Sequence, residues 1–297
     1  ANTVVRRETP GEKLFNVINM IFMLFMICIT LYPFYYVVMA SLSDSSRLML
    51  EDGLLLKPAG FSLAAYKMVF KNPNIMSGYR TTLIVVVTGT LINVLLTSMG
   101  AYLLTRKRFA IRNVMAYMMV FTMYFSGGMI PTYLLIYKGL NLGDSLWALI
   151  LPNAISTYNL LIMRTNFAAI PESMEESAKI DGANDFVILF RIIIPLSLPI
   201  IAVMVLFYGV AHWNAWFSAM LYIRTKSKYP LQLILREILL LNSTEGMMEG
   251  TTGSDKYSIG ESIKYATIVV ATLPILCVYP FIQKYFVKGM MIGAVKG

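Results

Sequence analysis

Apolar residues in this chain gather into long unbroken runs, and polar residues gather into the links between them. A helix needs about 20 mostly apolar residues to cross a membrane. Six runs reach that length, at roughly 15–39, 81–104, 114–135, 145–168, 195–222 and 265–286. The runs are continuous, which excludes the alternating pattern of a membrane β-barrel. The predicted fold is therefore all-α, a polytopic membrane protein of about six transmembrane helices in one domain. Segment 171–194, between the fourth and fifth runs, is neither a span nor a simple turn. Pro171 suits the first turn of a helix, and Glu172, Glu175 and Glu176 put negative charge at that helix's positive end. Met174, Ser177, Ala178 and Asp181 follow on one side at helical spacing. Gly182 is a natural stop. Asp185 then caps a second helix that runs to Ile194 and is closed by Pro195. The segment reads as a compact knob joining two spans.

Two further segments, 41–80 and 223–264, are longer than joining two helices requires. The first has a helical patch near Leu63–Phe70. The second has an amphipathic piece, Leu231–Leu241, followed by a Gly/Ser/Thr-rich stretch expected to be mobile until a partner binds. Docking of an extracellular partner and simple decoration both account for their length.

Composition supports this picture: 57% of residues are hydrophobic, 14% are charged, and the mean hydropathy is +0.65. No single soluble core could absorb so many apolar runs. The net charge of +9 is scattered through the links, a pattern of membrane topology and not of nucleic-acid binding. Between the second and third runs lie Arg106, Lys107, Arg108 and Arg112; between the third and fourth lies only Lys138. The positive-inside bias places the first of these links, both termini and the knob in the cytoplasm. Arg224, Lys226 and Lys228 run against that bias, in a long loop where it counts for less. The first run follows Arg6, Arg7 and Lys13 without a small-residue cleavage site and reads as a retained span. Cys28 and Cys277 sit inside apolar runs and offer neither a disulfide framework nor metal-ligand spacing.

No Asp, Glu, Lys or Arg lies in the middle of a predicted span, which argues against an ion-coupled carrier or a voltage sensor. The GxxxxGK[ST], HExxH and GxSxG patterns are absent. Any uphill transport must take its energy from another polypeptide. Polar and aromatic residues within spans mark a candidate solvated path: Asn153, Ser156, Thr157, Tyr158 and Asn159 in the fourth, and His212, Trp213, Asn214, Trp216 and Ser218 in the fifth. Aromatic faces stack on sugars while amides and hydroxyls bond their edges. Interfacial belt positions for the tryptophans and interhelical bonds for the asparagines account for the same residues.

The knob resembles the cytoplasmic signature loop of binding-protein-dependent ABC importers. That pattern is Glu-Ala-Ala, three residues, Gly, nine residues, then Ile-x-Leu-Pro. Here it reads Glu176-Ser177-Ala178, then Gly182, then Ile192-Ile193-Ile194-Pro195, with Ser177 and Ile194 departing from it. The knob between spans four and five, the Trp213-Asn214 pair and the tail Gln283–Gly297 are similar to the carbohydrate-uptake, maltose-type branch, near permeases for oligosaccharides and uronate-containing sugars. The resemblance implies that Glu175, Glu176, Ser177, Ala178, Asp181 and Gly182 contact an ATPase as a coupling helix. It implies a bacterial cytoplasmic-membrane protein forming half of a pore. Its partners would be a second, non-identical permease, two cytoplasmic ATPase subunits and an extracytoplasmic solute-binding protein. This chain would hold no cofactor, with ATP and magnesium on the ATPase. A membrane-embedded glycan-handling enzyme and a receptor or scaffold are the other readings of the same spans. The first lacks an acid pair, and the second leaves the knob's spacing unexplained.

Overall fold

The computed structural model describes residues 9–51, 53–240, 260–278 and 280. Among them the protein is helical, with one isolated bridge between Ser43 and Phe61. The Gly/Ser/Thr-rich stretch and the Gln283–Gly297 tail lie outside the described residues. Two compact units are distinguished, Ala1–Lys71 with Thr244–Val270 and Asn72–Ser243 with Ala271–Gly297.

In the first unit, α1 (Pro10–Ser41) opens with a capping box, in which the Thr9 hydroxyl accepts from Glu12 N–H and the Glu12 carboxylate accepts from Thr9 N–H. Such reciprocal caps satisfy donors that a helix start leaves free. From Leu14 to Phe34, large apolar side chains project on every side of α1 and remain exposed. A helix apolar all round belongs in lipid or against other helices. Short helices α2 (Ser45–Leu48) and α3 (Ala64–Lys71) follow. Ala40, Leu48, Leu55 and Ala59 form a small core with Tyr36 and Tyr265.

The second unit is built on α4 (Pro73–Thr105), a 33-residue helix started by Pro73 behind the Asn72 cap. Its buried positions are mostly small or polar, among them Thr81, Thr90, Asn93, Thr97, Ser98 and Ala101. Such residues let helices approach closely within a membrane. The third apolar run is not one helix: α5 (Arg112–Tyr124) and α6 (Met129–Leu134, continued as a π-turn over Leu135–Gly139) meet at 112°. Gly127 and Gly128 stand at the break, Gly128 with φ +86°. The fourth run is also interrupted. Helix α7 (Trp147–Ile150) passes into a 3₁₀ turn, Leu151–Asn153, and α8 (Thr157–Ala168) starts afresh. Pro152 supplies no N–H there.

The knob holds α9 (Glu172–Ile180) and α10 (Asp185–Ile188), the latter continued by a π-turn, Leu189–Ile193, and α11 (Ile194–Leu196). Two readings from sequence are corrected. Asn184, not Asp185, caps α10, its side chain accepting from Val187 N–H at 2.9 Å. Nor does Pro195 close the helix. It falls at the start of α11, where its ring is tolerated, and the chain turns by 89° at Ser197 instead. Then come α12 (Leu198–Asn214), α13 (Phe217–Tyr222) and α14 (Leu231–Leu240), with α12 ending well before the predicted 222. A last helix, α15, covers Gly260–Val278. Among the described residues α1, α4 and α15 are long and apolar enough to cross a membrane, and the two bent pairs qualify when each is taken together.

Candidate functional site

Two sets of polar contacts converge on α4. The first holds the knob. Pro171 takes the N-cap position of α9, with Glu172 and Glu175 in the first turn and Lys179 in the last, charges that suit the helix dipole. The helix has two faces. Glu175 and Ala178 are buried, Ala178 in a core with Ala101, Tyr102, Met163 and Phe167. Met174, Glu176, Ser177, Ile180 and Asp181 face outward, and Ile180 is 87% exposed. The turn after α9 closes with Ala183 N–H donating to Ala178 C=O at 2.9 Å and Gly182 at φ +82°. A Cβ at Gly182 would meet nothing within 4 Å, so glycine is required there by backbone conformation and not by crowding inside the chain.

Glu175 is the buried charge of the knob and is ion-paired with Arg106. Its other oxygen accepts from Lys179 Nζ at 2.6 Å. The Arg106 guanidinium lies 4.2 Å from the centre of the Tyr102 ring, and the Tyr102 hydroxyl donates to Asp185 at 3.2 Å. Lys107 donates to Glu172 at 2.7 Å and, by that bond and its charge, holds the Glu172 carboxyl below the usual range. A groove of about 1090 Å³ runs beside this cluster, walled by Arg106, Lys107, Phe109, Ile180 and Phe186. The knob is thus fastened to the C-terminal end of α4.

The second set holds the break in the fourth run. Asn93 Nδ2 donates to the carbonyls of Asn153 (2.7 Å) and Ala154 (2.8 Å). Its Oδ1 lies 2.7 Å from His212 Nε2. Because the amide hydrogens are used on carbonyls, Oδ1 accepts and His212 Nε2 carries the hydrogen. Tyr208 OH pairs with Thr97 Oγ1 at 2.7 Å and accepts from Ser156 N–H at 3.1 Å. Gly89 makes room for the imidazole, since a Cβ there would sit 2.6 Å from Nε2. Non-helical backbone within a membrane persists only where protein buries it or a water-filled cavity adjoins it. Here Asn93 and Tyr208 supply its side-chain partners, and His212 and Thr97 hold those two in place.

Of the predicted path residues, Asn153, Ser156 and His212 are brought together through Asn93 and Tyr208. The Ser156 hydroxyl also caps α8, Asn159 is buried, and Tyr158 is 59% exposed. Trp213 is buried and Asn214 exposed, while Trp216 stacks under the Arg236 guanidinium at 4.7 Å. Sequence reasoning missed Asn93, Thr97, Tyr208, Tyr102 and Arg106 as site residues. Asn93 alone had a signal, an amide in the middle of an apolar run.

A third contact set joins the link before α7 to the link after α13. The Asp144 carboxylate accepts from Arg224 N–H and Thr225 N–H (both 3.0 Å), Thr225 Oγ1 (2.7 Å) and Lys228 Nζ (2.8 Å). Above it Tyr137, Tyr133 and Tyr222 stack in series, with Arg224 over Tyr137 at 4.9 Å.

These features define a polytopic helical membrane protein with sharply bent helix pairs and a small charged knob strapped to α4. Residues 100–292 match the family of binding-protein-dependent transport system inner membrane components, and the chain belongs to that family. It is 44% identical to the polygalacturonan/rhamnogalacturonan transport system permease protein YtcP of Bacillus subtilis, over 96% of this chain and 99% of that one. Identity to protein LplC of the same organism is 42%, over 98% and 97%. The fold is similar to a chain in the crystal structure of a bacterial ABC transporter involved in the import of the acidic polysaccharide alginate. That match has a TM-score of 0.85 at 28% identity and covers 95% of this chain and all of that one. Membership places the chain in a transport assembly, as a membrane component working with a partner permease, an ATPase and a binding protein.

Proposed function

We propose that this chain is one half of the pore of an ATP-driven importer for oligosaccharides, including uronate-containing ones. The observation that carries the reading is the outward face of α9, where Glu176, Ser177, Ile180 and Asp181 stand free just before the Gly182 turn. That face seats in a cytoplasmic ATPase subunit. Glu175 and Ala178, expected from sequence to share the contact, are buried against their own chain, behind that face. Both termini and the knob lie in the cytoplasm, in keeping with Arg106, Lys107, Arg108 and Arg112. A second, non-identical permease completes the pore. Two ATPase subunits bind ATP and magnesium, and an extracytoplasmic binding protein delivers the sugar. Exposed Asn153, Tyr158, Asn214 and Trp216 offer amide and aromatic groups of the kind sugars bind. Arg236 beside Trp216 adds a cation suited to a carboxylate, and relatives named for polygalacturonan and alginate support an acidic cargo.

Affinity purification from a membrane extract, with uptake of a labelled oligogalacturonide in cells carrying or lacking the chain, tests this directly. An ATPase and a second permease should co-purify, and uptake should depend on the chain. Purification without an ATPase, with uptake unchanged by deletion, would sink the proposal.

A further inference from the structure

We propose that Arg106 and Glu175 are positioning residues that make α9 and α4 one mechanical piece, so that a push on the knob reaches the broken fourth span along α4. The inference rests on α9 being the coupling helix. Covalently, α9 joins its neighbours through pliable links: a non-helical stretch ending in Pro171 before it, and the Gly182 turn and the 89° bend at Ser197 after it. A helix held only by such links would pivot under load, leaving the spans behind. The Arg106–Glu175 pair bridges across them. It is buried on the Glu175 side, braced by Lys179 and stacked on Tyr102, and Tyr102 holds Asp185 on the far side of the Gly182 turn. Separating a buried carboxylate from one of its two cations is costly, so the contact resists sliding.

What the pair grips is the end of one uninterrupted helix. Asn93 lies twelve residues before Thr105, about 18 Å along α4 at 1.5 Å per residue. It clamps the carbonyls of Asn153 and Ala154 and the His212 ring. Displacing the Thr105 end therefore displaces the clamp on the break.

The test uses the whole assembly in proteoliposomes, with binding protein and an oligosaccharide it carries. Glu175→Gln keeps the side chain's shape and removes its charge; Arg106→Gln removes the other charge, and Arg106→Lys retains it. Ser177→Cys, at an exposed position of α9, reports by cross-linking whether the helix is seated on the ATPase. The expected result is that both Gln variants assemble and cross-link as the parent does and hydrolyse ATP, but import about tenfold less sugar per ATP. Arg106→Lys should recover most of that ratio. An unchanged ratio in both Gln variants with cross-linking intact overturns the brace and leaves the coupling helix standing. Absence of cross-linking in the parent overturns the coupling assignment itself. Should the Gln variants fail to assemble, the Arg106→Lys protein decides alone: a ratio as low as that of an uncoupled complex contradicts a charge-based brace, and a near-parental one upholds it.

Discussion

At the scale of single residues, two positions separate backbone demands from contact demands. Gly182 has φ +82° and open space around it. Any side chain there costs about 1–2 kcal/mol of backbone strain, its first carbon meets no neighbour within 4 Å, and the position is exposed. Gly182→Ala and Gly182→Trp should therefore reach the membrane in similar amounts. If the face seats in an ATPase, the Trp variant should lose uptake far more severely than the Ala variant. Western quantification with uptake assays checks this, and equal uptake by the two would place the face in solvent. Asn93 is the opposite case, a residue defined wholly by contacts. Asn93→Leu removes three hydrogen bonds, each worth about 0.6 kcal/mol and at most about 1.7 in a membrane, so a loss of about 2 kcal/mol is expected, seen as a lower melting temperature in detergent. Gly182 was legible because its reason is local. Asn93 was not, because its partners lie 60 and 119 residues away, and the polarity of a lone amide does not say whom it meets.

At the scale of elements, the apolar runs announced α1 and α4, while the breaks within the third and fourth runs went unseen. Composition does not register that Gly128 turns to positive φ, or that Leu151-Pro152 ends α7. The knob was more readable than the spans, since its acidic start and glycine stop are local patterns, but its faces were not: Ala178, grouped from sequence with Met174, Ser177 and Asp181, turns inward while those three face out. Its N-cap was misplaced by one residue because Asn184 and Asp185 are both good caps, and the choice depends on Asp185 meeting Tyr102. The Asp144 clasp, from the link before α7 to the link after α13, was invisible for the reason that hid Asn93. Donation from Lys228 Nζ, followed by the donors of Thr225 and Arg224, holds the Asp144 carboxyl well below its ordinary value of 3.8. A carboxyl lowered on folding stabilises the fold fully above the unfolded value, and that contribution is lost as pH falls through the folded one. Protection of the 222–229 amides in hydrogen exchange, corrected for intrinsic rate, should thus stay constant from pH 8 to 5 and fall only below about pH 4. Asp144→Asn should expose the same amides about tenfold from pH 8 to 5, with the difference from the parent narrowing below about pH 4. A decline already beginning near pH 6 would contradict the clasp.

At the scale of the whole molecule, the question is where the energy for transport enters. The sequence offers no carboxylate or basic side chain in the middle of a span, and its one histidine, His212, donates its Nε2 hydrogen to Asn93. A proton relay needs a group that exchanges protons with a path, whereas this imidazole is occupied in holding Asn93 against the broken span. His212→Gln offers an amide hydrogen to the same acceptor, so it should keep most of the transport rate and leave its pH profile unshifted. Uptake into proteoliposomes of the complete assembly should stop when ATP is withheld and persist when a protonophore collapses the proton gradient, for the parent and for His212→Gln alike. A flux that survives without ATP, falls with the protonophore and disappears in His212→Gln would show that the ring carries protons. The knob would then be a bystander to the energetics.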